Sequence, residues 1–123
     1  MPAATVLVVE DDPVILRLLE VNFELEGFAV LLAHDGAEGI EIARSEAPDL
    51  IVSDIMMPRM SGIELVETLK GDATTAGIPI ILLSAKAQTS DLKAGMDAGA
   101  DDYVTKPFEP LDLVERVNAL LKR

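Results

Sequence analysis

Five short apolar runs, each followed by a stretch of helical character, organise the whole chain. Residues 6–9, 28–33, 50–53, 78–83 and 102–105 carry the strand signal; the first four are brief, rich in Val, Ile and Leu, and mostly unbroken rather than alternating, while the fifth, Asp-Tyr-Val-Thr, is the least apolar. Runs of that kind suit strands covered on both faces, as in a parallel sheet between two helical layers. Helices are expected from Pro13 to a stop at Gly27, then over 37–45, 62–70, 90–98 and 110–122. Asp12 before Pro13 makes a good N-cap followed by a good first helical residue. Ile15, Leu18, Leu19, Asn22, Phe23 and Leu25 then fall near a 3.6-residue stripe. Five β-then-α units predict an α/β fold, a doubly wound parallel sheet with helices on both faces.

The polar residues that interrupt the apolar runs sit at their carboxyl ends. Glu10 and Asp11 follow the first run, Asp54 closes the third, Ser84 ends the fourth and Lys106 follows the fifth. The carboxyl ends of parallel strands share one rim, and ligands bind in the crevice there. With Asp12 occupied as a cap, Glu10 and Asp11 are left to face that crevice beside Asp54. Three carboxylates so placed raise one another's pKa unless a hard divalent cation separates them, and oxygen donors suit Mg²⁺. A hydroxyl and an ammonium on the opposite side suit a phosphoryl group. Pro107 holds Lys106 extended, aiming it back over the strand ends, and the Lys106–Pro107 bond is a candidate cis peptide.

Composition narrows the remaining choices. A length of 123 residues fits one domain with one core. Half the residues are hydrophobic but only one Tyr and three Phe are aromatic, so the core is expected to be aliphatic. A net charge of −12 disfavours direct binding to DNA, RNA or an anionic membrane, while leaving a basic protein partner open. The absence of cysteine removes disulfide and thiolate chemistry. No basic leader and no 18-residue apolar stretch is visible, and the chain reads as soluble and cytoplasmic. His34 is alone and reads as a loop residue; the five methionines read as filler.

Four segments in order carry a resemblance over essentially the whole length. They are Val8-Val9-Glu10-Asp11-Asp12, residues 49–58 (Asp-Leu-Ile-Val-Ser-Asp-Ile-Met-Met-Pro), residues 78–85 (Ile-Pro-Ile-Ile-Leu-Leu-Ser-Ala) and residues 99–108 (Gly-Ala-Asp-Asp-Tyr-Val-Thr-Lys-Pro-Phe). Each is weak alone; together, at these spacings, the chain resembles the receiver domains of two-component response regulators. The resemblance implies a flavodoxin-like sheet with strand order 2-1-3-4-5 and one receiver domain over residues 1–123. It implies that Asp54 accepts a phosphoryl group from the phosphohistidine of a sensor histidine kinase or phosphotransfer protein. Glu10, Asp11 and Asp54 would hold Mg²⁺ with the backbone carbonyl of Met56. Lys106 would pair with the carboxylate and then the phosphoryl group, Ser84 would be the switch hydroxyl and Tyr103 the aromatic switch. The surface of helix four, strand five and helix five would change its partner preference, acting as a switch on a partner or output domain rather than as a metabolic enzyme. That same surface is a candidate homodimer face, with mixed charge at Asp97, Asp101, Asp102, Asp112, Arg116 and Arg123, although Leu92 stands where dimerising members often carry a basic residue. Lys86 and Met56, each two residues beyond a site residue, are expected to border the water's route to an acyl phosphate.

Three rivals remain at this stage. A magnesium phosphatase of another α/β family would want an aspartate where Met56 stands, and room for a cap insertion. A flavin or nucleotide module would want a Gly- or Ser-rich first turn instead of Glu10-Asp11-Asp12-Pro13. A phosphorylation-independent scaffold differs only in an assay.

Overall fold

The computed structural model describes residues 4–85 and 89–121, residue 89 by its backbone alone. Ten elements alternate: β1 (Thr5–Val9), α1 (Pro13–Leu25), β2 (Ala29–Ala33), α2 (Gly36–Glu46), β3 (Leu50–Asp54), α3 (Gly62–Lys70), β4 (Ile80–Ala85), α4 (Thr89–Ala98), β5 (Asp102–Lys106) and α5 (Pro110–Leu121). All strands pair in parallel in the order β2-β1-β3-β4-β5. The expected doubly wound, flavodoxin-like sheet is therefore the observed one.

Alternate residues of the central strands feed two cores. Val6, Val8, Leu50, Val52, Ile81 and Leu83 pack under α1 and α5 against Leu16, Leu19, Phe23, Leu113, Val114 and Val117. Leu7, Val9, Ile51, Ile80 and Leu82 pack under α2 and α3 against Ile40, Ala43, Leu65, Val66 and Leu69, with Leu92 and Ala98 of α4 at the margin. Two-sided burial is why these strands read as unbroken apolar runs, and each fully buried Leu or Ile contributes about 2 kcal/mol.

Local expectations hold at the first helix entry, where Asp12 Oδ1 accepts the Val14 N–H at 2.9 Å and Pro13 opens the helix. The face of α1 differs from expectation. Leu16, Leu19 and Phe23 are buried, whereas Leu18 and Leu25 are 44% and 77% exposed. Phe28, read as strand, instead closes the helix end: its N–H bonds the Phe23 carbonyl and its ring meets Phe23 edge to face at 5.7 Å. The fourth strand begins at Ile80, two residues later than expected, because the chain is still in the turn that bonds the Ile78 N–H to the Thr75 carbonyl.

The amino-end rim is tied by one lysine. Lys70 Nζ donates to the Ala76 carbonyl at 3.1 Å, the Ile78 carbonyl at 2.9 Å and Asp101 Oδ2 at 3.3 Å, and Asp101 Oδ2 also accepts the Ile80 N–H at 2.8 Å. At the opposite rim, β3 leaves through a loop that ends in a capping box, with the Ser61 hydroxyl accepting the Glu64 N–H and the Glu64 carboxylate accepting the Ser61 N–H. The Lys106–Pro107 bond is cis.

Candidate functional site

Strand register builds the site. Val9 of β1 stands opposite Ser53 of β3, so the next residue of each strand direction, Glu10 and Asp54, meet at the carboxyl rim. Asp54 stands opposite Leu83, which puts Ser84 one step beyond on the neighbouring strand. Ala85 stands opposite Lys106 at the end of β5.

The expected convergence is present. One carboxylate oxygen each from Glu10, Asp11 and Asp54 lies within 4.8 Å of the others. Lys106 Nζ lies 3.2 Å from Asp54 Oδ2 and 3.4 Å from Glu10 Oε1. Glu10 is fully buried and Asp54 nearly so, while Asp11 faces solvent. Glu10 Oε2 also accepts the Asp12 N–H at 3.2 Å, which fixes its carboxylate under the loop.

Among the described residues, one ammonium faces three carboxylates and does not balance them. Burial first, and the charge of Asp54 second, push the Glu10 carboxyl up to about 7, and the Asp12 N–H and Lys106 draw it back only in part. Burial opposes the Lys106 ammonium, but Asp54 and Glu10 outweigh it and hold the pKa above the ordinary lysine value. An all-oxygen donor set with an excess of negative charge, one member of it solvent-facing, fits a hard divalent cation such as Mg²⁺.

The crowding has a consequence for metal-free protein. Glu10 binds its proton more tightly folded than unfolded, so this group adds stability below its unfolded value of 4.5 and that contribution is lost as pH rises through about 7. In chelator, the unfolding free energy is expected to fall by on the order of 2–3 kcal/mol between pH 5 and pH 8 from this group. Millimolar Mg²⁺ should flatten the dependence. Chemical denaturation at several pH values checks it; a metal-free stability that does not change across that window would contradict the crowded carboxylate.

The other expected residues lie nearby or apart. Ser84 is buried, and its hydroxyl donates to the Ala85 carbonyl at 3.0 Å. Tyr103 is outside the cluster and 41% exposed, bordering a hollow with Leu92, Lys93 and Met96. Met56 is exposed in the loop after β3. His34 is an exposed loop residue paired with Glu38 at 2.9 Å. Lys86 lies outside the described residues.

Two features escaped the sequence reading. Gly62 closes the loop by donating its N–H to the Ile55 carbonyl at 2.8 Å, and a Cβ there would collide with the Asp54 carbonyl. The Ser-Gly pair before an apolar helix was its signal. The second is an exposed apolar stripe along α1, Val14, Leu18, Val21 and Leu25, at four- and three-residue spacing. Beside it Ile15, Leu18, Pro107 and Phe108 line a hollow of about 410 Å³ whose wall includes Lys106.

Comparison with known proteins places this geometry. The family described as the response regulator receiver domain matches residues 6–118. The DNA-binding dual master transcriptional regulator RpaA of Synechocystis sp. is 42% identical over 118 residues, which is 96% of this chain and 49% of the relative. The chain thus spans about half the length of the curated relatives it matches. The receiver domain of Francisella response regulator 1452 is 38% identical with a TM-score of 0.89, covering 98% of each chain. The receiver domain of a sensor histidine kinase from Pseudomonas aeruginosa, solved with a magnesium ion coordinated in its active-site cleft, is 27% identical with a TM-score of 0.90, covering 98% of this chain and 99% of that one. No helix among the described residues is long and apolar enough to cross a membrane. By sequence match, strand order and the shared architecture of these relatives, the chain belongs to the response regulator receiver domain family, whose work is regulatory rather than metabolic.

Proposed function

We propose that Asp54 is the phosphoacceptor of a magnesium-dependent switch charged by a sensor histidine kinase or phosphotransfer protein. The observation that supports it most is the meeting of Glu10, Asp11, Asp54 and Lys106 at one rim. Asp54 Oδ attacks phosphorus, the phosphorus–nitrogen bond of the phosphohistidine breaks, and the imidazole leaves with the bonding pair. A carboxylate is a competent nucleophile, but an anion must approach an anion. Lys106 lies within reach of Asp54 and offsets the charge on the incoming oxygens. Glu10, Asp11, Asp54 and the Met56 carbonyl would hold Mg²⁺, which when bound neutralises charge on the transferred group.

Charging Asp54 adds a phosphoryl dianion beside Ser84. The Ser84 hydroxyl then exchanges its bond to the Ala85 carbonyl for one to a phosphoryl oxygen, biasing an existing equilibrium at the end of β4. Tyr103 and the α4–β5–α5 surface are the readout, and a partner or output domain is the recipient. Self-association through that surface would trade existing contacts, since Arg116 already holds Asp102 at 3.1 Å and Asp112 at 3.4 Å. The test is uptake of label from a ³²P-phosphoramidate donor, with and without chelator. Magnesium-dependent, hydroxylamine-labile label is expected; no label under either condition would refute the reading and favour a phosphorylation-independent scaffold.

The α1 stripe and its neighbouring hollow support docking of an apolar helical donor beside Lys106. Leu18→Asp, at a partly exposed position, is expected to slow transfer from a phosphohistidine protein by tenfold or more, roughly the weight of one interface anchor. Uptake from phosphoramidate should stay within about twofold, since that donor needs no docking surface. Equal slowing with both donors would show that Leu18 acts on the site and not on docking.

A further inference from the structure

We propose that Met60 is a positioning residue, latched onto Gly36 at the start of α2, and that this latch sets how tightly the loop after β3 holds a divalent cation. The inference rests on the magnesium reading of the site. Residues 55–61 leave Asp54, carry Met56, and return to α3. The base of this loop is pinned by the Ile55 N–H on the Leu83 carbonyl at 3.0 Å and the Gly62 N–H on the Ile55 carbonyl at 2.8 Å. Its tip rests on another element altogether. Pro58, Arg59 and Met60 face Asp35, Gly36 and Ala37 across a hollow of about 240 Å³.

The space between Gly36 and the stem of the methionine has no room for a side chain. A Cβ on Gly36 would stand 2.8 Å from Met60 Sδ, 2.9 Å from its Cγ and 3.0 Å from its Cβ. Swinging the thioether end aside would not relieve it, because Cγ is nearly as close as Sδ; the whole side chain would have to turn off the core on which it packs, or the loop would have to shift. Met60 is half-buried and packs on the core beneath α2 and α3. The neighbouring Arg59 sits at φ +68°, in the left-handed region that a non-glycine residue occupies at a cost, and the Met60 N–H closes a tight turn onto the Pro58 carbonyl at 2.7 Å. Such a conformation persists only where surrounding contacts hold it. The Arg59–Asp35 ion pair, 3.7 Å long and mostly exposed, is a weak holder. The packing of Met60 on the core beneath α2 and α3, beside Gly36, is the stronger one. Met56 lies between the pinned base and the latched tip, so a push at the tip is carried to the carbonyl proposed as a metal ligand. The start of α2 thereby becomes a second handle on the site, on the side away from α4 and β5.

The test is a cycle of Gly36→Ala, Met60→Ala and the double variant, with Mg²⁺ affinity measured by calorimetry and by the amide shifts of residues 54–56. Loss of a supporting contact behind a metal ligand typically weakens affinity about tenfold, and each single variant is expected to lose about that much. The double variant should bind about as well as Met60→Ala alone, because only the residue-60 Cβ, at 3.0 Å, then faces the added Cβ and need give by no more than a few tenths of an ångström. Thermal midpoints are followed in parallel; a residue with only a structural role would lower them and leave affinity unchanged. Wild-type affinity in Met60→Ala overturns the latch, and that single variant decides the matter even if Gly36→Ala does not fold. Equal losses from Gly36→Ala in both backgrounds also overturn it. Failure of the wild-type chain to bind Mg²⁺ would instead remove the site reading, and the latch with it.

Discussion

Asp54→Asn is expected to abolish phosphoryl uptake, lowering the rate on the order of 10³-fold or more, as removal of a nucleophile does. Asn keeps the size and one acceptor oxygen of Asp at a position that is only 5% exposed, so the fold should persist. What changes is chemistry: the amide is neither an adequate nucleophile nor a full partner for the Lys106 ammonium 3.2 Å away. The same substitution removes the second cause that pushes the Glu10 carboxyl up. The metal-free variant should therefore show a shallower loss of stability between pH 5 and pH 8 than the wild-type chain. Labelling time courses and denaturation curves on the same preparation check both halves. Uptake at the wild-type rate would mean another residue accepts the group.

Gly62→Ala is expected to destabilise the chain by about 3 kcal/mol, or to fold only with the loop after β3 displaced. Propensity points the other way, since Ala is the better helix residue by about 1 kcal/mol. The steric term wins because the added Cβ would meet the backbone of Asp54 and the Cα of Ile55, which lies 2.9 Å away, and backbone cannot rotate out of the way as a side chain can. The Asp54 carbonyl is also held by a hydrogen bond from the Ser53 hydroxyl at 3.0 Å. Where the variant folds, Mg²⁺ binding and label uptake should fall together. Unchanged stability would show that the helix start shifts more easily than this packing implies.

The parts legible in the sequence are those where one physical rule acts alone. Strands β1 and β3 announced themselves because burial on both faces demands an unbroken apolar run. The rim residues Glu10, Asp11, Asp54 and Lys106 were legible because parallel topology sends every strand end to one side. The face of α1 was not. It carries two apolar stripes, Leu16, Leu19 and Phe23 against Val14, Leu18, Val21 and Leu25, and periodicity alone does not say which one meets the core. Phe28 looked like strand by its composition, yet its backbone is claimed by the end of the preceding helix. Gly62 and the approach of Gly36 to Met60 depend on elements that meet only after folding: Ser-Gly before an apolar helix marks a helix start at Gly62, but not the Asp54 backbone against it.

Lys70 gives the sheet a fixed end. Its ammonium gathers two carbonyls and Asp101 at the margin remote from Asp54, and three acceptors must be surrendered before that margin yields. At the other margin three carboxylates crowd together and Lys106 reaches two of them, Glu10 and Asp54. A charge arriving at Asp54 therefore acts on the margin that like charges already crowd, and not on the margin that Lys70 ties down.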